Sequence, residues 1–313
     1  MKAYLYEENK NGRDYICAKF DNNSNERVTI LYGKGNFYQP YLGLGDVEYG
    51  SQDCPLEESL GGKTYKTSVN EVGDIVNHVW RPGIFGRDLD LLKIDIGEKA
   101  RAKRELKILI ESLHEILMYI EPSEECLKVY GHKTRELLIL ACTECESLWT
   151  DYIRLLGNTN QFLTTRDYVK LKDKLFLKEY VIKFTNHPMQ FEFQPFVDWD
   201  EEHSTTSLPW YDGYNKTKHN KKDYFSEATL ENCLKAIAAN IVMFCVRYSP
   251  FALINAHDIC SNLVNEYFSV ELKDPDITSF YIPPLKSYQI ASGAFSAPAD
   301  SVWEREWNIK PLT

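Results

Sequence analysis

The segment Asn215-Lys216-Thr217-Lys218-His219-Asn220-Lys221-Lys222-Asp223 sets four lysines and a histidine together in a chain of formal net charge -10. Histidine is the side chain best tuned for moving a proton near neutral pH. Lysines beside it can hold a phosphate and stabilise charge on its oxygens. That combination fits cleavage of RNA by attack of a 2′-hydroxyl on the adjacent phosphate, a reaction that needs no metal ion. In this reading His219 is the acid/base, and Lys218 and Asn215 support the phosphate. Lys216, Lys221 and Lys222 add positive charge. Trp210 and Tyr214, just upstream, offer rings on which unpaired bases can stack. The competing reading is a solvated lysine-rich turn leading into a helix, and composition alone favours it.

Helices must position these residues. Leu106, Ile108, Leu109, Leu113, Ile116, Leu117 and Ile120 recur at three and four, so a helix is expected over 99–120, ending before Pro122. A second is expected over 133–156. Its stripe is Leu138, Ala141, Cys142, Cys145, Leu148, Trp149, Tyr152 and Leu156, and Gly157-Asn158 closes it. Glu144 lies beside that stripe. It could reach the motif from a facing helix and hold a histidine tautomer; a glutamate satisfied by a local partner is the alternative. A third helix is expected over 164–178, capped by Thr164 or Thr165. The last long helix should start near Ser226, with Glu227 in its first turn, and end near Tyr248.

The remaining segments read as strands and loops. Runs at 3–6, 15–20 and 27–32 have strand composition. Glycines from Gly33 to Gly86 mark loops and match no phosphate-binding fingerprint. Residues 81–88 read as a compact basic-aromatic turn. Residues 180–184 and 191–196 look extended, and Leu208 to Gly213 reads as an aromatic turn. Asp258 to Phe268 is a short-helix candidate. Beyond Asp274-Pro275 the chain is rich in Pro, Ser and Ala, with Trp303 and Trp307 as anchors. The expected architecture is α+β: an N-terminal β-rich domain (1–95), a mainly α-helical bundle (99–250) and a C-terminal extension packing on the body (251–313).

The run Trp210-Tyr211-x-x-Tyr214-Asn215-x-x-Lys218-His219, followed by Phe225-x-x-Ala228-Thr229-Leu230-Glu231-Asn232, resembles the C-terminal part of HEPN-like helical proteins. The resemblance spans roughly 100–250, and its specific part is about 25 residues. It implies a bundle of four or five helices, often dimeric. Many such proteins are endoribonucleases of phage defence, toxin-antitoxin or RNA-processing systems. Others are non-catalytic interaction modules. The family signature is an arginine, four to six residues, then a histidine. His219 matches the histidine and Asn215 resembles the polar residue after the arginine. The arginine position falls at Asp212 to Tyr214, where no residue is basic; Lys216 and Lys218 are the nearest cations. The resemblance therefore implies a metal-independent endoribonuclease or RNA-binding protein, or else a protein-interaction or regulatory module. Its expected partners are RNA, a cognate protein and a second copy of the chain.

Several classes fit poorly. The acidic balance argues against a general nucleic-acid coat, so any RNA contact must be local. Cys142, Cys145, Cys233 and Cys245 fall inside helical patterns and read as small core residues, including the lone Cys142-x-x-Cys145 pair. His114, His132, Glu144 and Glu146 lack metal-ligand spacing. The acidic run Asp198, Asp200, Glu201, Glu202 with His203 reads first as an exposed loop and second as a cation site. No nucleophile-elbow pattern surrounds a serine. No apolar stretch is long enough to span a bilayer, and no secretory leader is recognisable at the N-terminus. A cytoplasmic protein without cofactor is expected.

Overall fold

The structure, a computed structural model, describes residues 2–10, 12–21, 26–34, 37, 38, 40–42, 48, 49, 64–84, 92, 94–186, 190–254, 258–284 and 307–313. Cys54, Trp303, residues 85–88 of the basic-aromatic turn, and Gly35, Gly43, Gly45, Gly50, Gly61 and Gly62 lie outside these residues. The fold is α+β, with an N-terminal β-rich region followed by a mainly α-helical bundle. The chain divides into two compact units, Met1–Lys93 with Pro275–Pro311, and Ile94–Asp274 with Leu312–Thr313. The segment expected as one C-terminal extension is thus shared between them.

In the first unit, β1 (Lys2–Lys10), β2 (Arg13–Asp21) and β3 (Glu26–Gly33) form an antiparallel meander. The register pairs Leu5 with Ala18 and Ala18 with Ile30. Side chains alternate between faces, so Ala3, Leu5, Ile16, Ala18, Ile30 and Tyr32 share one buried face. Tyr6 and Cys17 pack with Tyr4, Tyr15 and Tyr65 on the other. β4 (Pro40–Leu42) and β5 (Glu48–Tyr49) pair with β3, and β6 (Lys66–Glu71) with β1. Phe280 and Ile282 complete the buried face. The last strand, Asn308–Lys310, pairs in parallel with β7 (Asp74–Val76). Gly83 has φ +113°, and a Cβ there would lie 1.8 Å from the Tyr281 carbonyl oxygen, so only glycine fits.

The second unit is built on α1 (Ile96–Leu117) and α2 (His132–Leu155). The Asp95 side chain caps α1 by accepting from the Glu98 N–H at 2.7 Å. The expected third helix is interrupted. α3 (Thr165–Tyr168) and α4 (Leu171–Lys174) are single turns, and Phe176 adopts a left-handed φ of 55° that no α-helix continues through. A small antiparallel sheet follows: β8 (Tyr180–Phe184), β9 (Phe191–Phe193) and, later in the chain, β10 (Phe268–Leu272), ordered β10-β8-β9. The extended run at 191–196 stops at Phe193; Pro195 lacks the N–H a strand needs.

The segment expected as an aromatic turn and basic loop is helical. α5 covers Pro209–His219, and α6 is the single turn Lys221–Tyr224. Proline at the first position of α5 costs no hydrogen bond and presets φ for the helix. The central helix α7 (Leu230–Tyr248) starts later than expected. Thr229 caps it by accepting from the Asn232 N–H at 3.1 Å, while Phe225–Glu227 forms a separate tight turn. Only Glu231, Lys235 and Arg247 of α7 escape burial. A helix apolar nearly all round belongs at the centre of a bundle. Asn240 ties it to α2, donating through Nδ2 to the Ala141 carbonyl at 2.8 Å. α8 (Phe251–Ile254) and α9 (Ile259–Tyr267) complete the unit.

Candidate functional site

The site is one face of α5 with the turn that follows it. The opposite face, Trp210, Tyr211, Gly213, Tyr214 and Thr217, is buried. A Cβ on Gly213 would lie 2.9 Å from Asn232 Nδ2, so the glycine lets α5 approach α7 closely. Trp210 is 1% exposed, donates through Nε1 to the Pro195 carbonyl at 3.0 Å, and packs its ring against Trp149 and Phe196. Tyr214 is fully buried. Neither ring is open to a base, which corrects their expected stacking role. The aromatic spacing that looked like a binding platform is the apolar stripe of α5.

Tyr214 instead organises charge. Its hydroxyl donates to Glu146 Oε2 at 3.0 Å and accepts from Lys218 Nζ at 2.6 Å. The Tyr211 hydroxyl donates to Glu146 Oε1. Lys218 Nζ also sits 4.8 Å from the centre of the Tyr214 ring. The hydrogen bond to Tyr214 raises the Lys218 pKa, so the ammonium stays charged at any working pH. Burial pushes the Tyr211 and Tyr214 hydroxyls up.

Glu144 was expected at this site and is not there. It lines a small crevice with Ala102, Glu105 and Phe244, where burial and the neighbouring Glu105 raise its pKa. Residues two apart on a helix point to nearly opposite sides, so Glu146, not Glu144, faces α5. The sequence contained both glutamates, and only the rotational phase of α2 separates them.

At the α5–α6 turn, Lys218, His219, Lys221 and Lys222 are exposed and Asn215 is half-buried, one helical turn before His219. Lys216 is paired with Asp212 at 2.6 Å, which raises its pKa and offsets its charge. It is therefore less available to a phosphate than expected. Asn220 shapes the turn: its N–H donates to the Lys216 carbonyl at 2.9 Å, and its Oδ1 accepts from the Asp223 N–H.

Two residues of α2 that the sequence gave no reason to join to the motif reach the same turn. Arg135 Nη2 donates to the Thr217 carbonyl at 3.1 Å, placing a cation at the negative end of α5. One helical turn earlier, the His132 ring lies 5.1 Å from the Phe225 ring. Lys221 Nζ lies 5.3 Å from that same ring, and Tyr130 meets it edge-on at 5.6 Å. An arginine is therefore brought in from another helix, though not from the signature position. No signal in the linear sequence marks it.

Other chemistries find less support. The Cys142 and Cys145 thiols are buried and pushed well up by burial, as for packing residues. Among the described residues no group of three His, Cys, Asp or Glu side chains could hold a metal ion, and no helix is long and apolar enough to cross a membrane. Neither known protein families, curated proteins nor solved structures give a match to this chain.

Proposed function

We propose that the helical unit binds single-stranded RNA at the α5–α6 turn and cleaves it without a metal ion. The observation that carries this reading is the exposure of His219 among Lys218, Lys221 and Lys222, on a turn fixed by buried aromatic rings and the half-buried Glu146 carboxylate. In an acidic chain, such a local cationic surface is where a phosphate backbone binds. In the reaction the 2′-oxygen bonds to phosphorus and the bond from phosphorus to the 5′-oxygen breaks. One proton leaves the 2′-hydroxyl and one reaches the departing 5′-oxygen. The products are a 2′,3′-cyclic phosphate and a 5′-hydroxyl. His219 carries out proton transfer, while Lys218 and Lys221 stabilise the charge that develops on the phosphoryl oxygens. The resemblance to HEPN-like proteins supports the same reading, with a role in defence or stress and action as a homodimer.

A second reading is a non-catalytic interaction module. It is favoured by one observation: no hydrogen bond among the described residues orients the His219 ring, as a catalytic histidine usually requires. The two readings separate when purified protein and its His219→Ala variant are incubated with single-stranded RNA in EDTA. Cleavage by the wild type that the variant loses supports catalysis. RNA bound by both and cleaved by neither supports the module.

A further inference from the structure

Beside the cationic turn lies a crevice of about 520 Å³ between the C-terminal end of α1 and the start of α2. Ile116, Met118, Tyr119 and Tyr130 give it mostly apolar walls, and the exposed His132 and Lys133 also line it. Its volume falls in the usual range for small-molecule and nucleobase pockets, roughly 300–1,000 Å³. Its apolar side chains are unusually open: Tyr119 is 87% exposed, Met118 61% and Tyr130 50%. Exposed apolar groups clustered in this way mark a binding surface.

Phe225 connects the crevice to Lys221 of the proposed RNA site. Tyr130 and His132 line the crevice, and both rings also touch Phe225, over which Lys221 sits. An apolar, aromatic pocket therefore opens near the ammonium of Lys221. That pairing matches a nucleotide: a flat base that gains from leaving water, joined to an anionic phosphate. Lys133, by contrast, is engaged with Glu115 at 3.4 Å, which offsets its charge.

We infer that this crevice is a base subsite, which takes one unstacked base of the RNA strand whose phosphates lie on the α5–α6 turn. The inference rests on the proposed RNA-binding function and adds to it the place where a base is held. A base held in the crevice has left its helical stack, so the site selects single strands over duplex. Tyr119 and Tyr130 supply the rings for stacking. These contacts tolerate any base, so the preference is for unpaired structure and not for sequence.

The test is binding of the 313-residue chain to a fluorescently labelled 12-nucleotide oligouridine, and to the same strand in a duplex, across a salt series. Tyr119 is almost wholly exposed, so Tyr119→Ala leaves the fold intact; Met118→Ala is the second variant. Wild-type protein is expected to prefer the single strand. Tyr119→Ala should weaken that binding by roughly 5- to 100-fold at every salt concentration, and Tyr119→Trp should restore it. The slope of affinity against salt should not change, because no phosphate contact is lost. Single-strand binding that Tyr119→Ala and Met118→Ala leave untouched overturns the base subsite and leaves the RNA-binding reading standing. No binding by the wild type removes that reading and the subsite with it. A wild-type dimer that Tyr119→Ala converts to monomer assigns the crevice to a second copy of the chain, and also overturns the proposal.

Discussion

Removing the acceptor of the Glu146 network should cost more than removing one of its donors, and removing both should recover much of the loss. The Tyr211 hydroxyl donates to Glu146 from a residue only 2% exposed. A hydrogen bond to a charged group contributes about 1.5–3 kcal/mol, and the half-buried position of Glu146 places Tyr211→Phe near the lower end. Glu146→Leu leaves the Tyr211 hydroxyl buried without its acceptor and removes that of Tyr214 as well. Stranding such groups costs about 1–3 kcal/mol each, and Lys218 still occupies Tyr214, so a total of about 2–4 kcal/mol is expected. The double variant Glu146→Leu with Tyr211→Phe removes donor and acceptor together and should be about 1–2 kcal/mol more stable than Glu146→Leu alone. Urea unfolding followed by tryptophan fluorescence reads this directly, since Trp149, Trp199 and Trp210 pack together in the same unit. In thermal melts each kcal/mol appears as roughly 2–4 °C for a unit of this size. Strictly additive losses in the double variant would refute the reasoning, because they would mean that Tyr211 and Glu146 are not coupled.

Three other outcomes follow from the packing and the charges. Gly213→Val should destabilise the helical unit by about 1–3 kcal/mol, because its side chain would drive into Asn232 and Glu227; equal denaturation midpoints would contradict that. Glu144 has a raised pKa, so its favourable contribution is present at low pH and fades as pH rises through the folded-state value. Glu144→Gln should therefore raise the stability slightly at pH 7, by at most about a few tenths of a kcal/mol, and leave it unchanged near pH 3; melts at the two pH values check this. Lys221→Gln with Lys222→Gln should lower the slope of log affinity for single-stranded RNA against log salt by about 1.4, which a salt titration measures.

The parts of the fold legible in the sequence are those set by local periodicity. The stripe from Leu106 to Ile120, the run from Leu138 to Leu156 and the strand composition of 3–6, 15–20 and 27–32 each declare an element, although Ile108, counted in the first stripe, is 49% exposed. Breaks were harder to see. Phe176 ends a helix by its own backbone conformation, and α7 is capped by Thr229, three residues after its expected start near Ser226. The candidate site was legible only in part. The exposed turn from Lys218 to Lys222 could be located, but Trp210 and Tyr214 read as a binding surface because core and ligand-facing aromatics look alike in one dimension. Glu146, Arg135 and His132 join the site through the rotation of α2 against α5, and no spacing in the sequence encodes that phase.

The central claim is that the α5–α6 turn performs metal-independent cleavage of RNA with His219 as its proton-transfer group. It is tested most directly by end-group analysis of a 5′-labelled single-stranded RNA incubated with the protein in EDTA. Fragments ending in 2′,3′-cyclic phosphate are expected from the wild type and none from His219→Ala, with RNA binding by the variant retained. Equal yields of those fragments from both proteins, or no cleavage by the wild type under conditions where it binds the RNA, would contradict it.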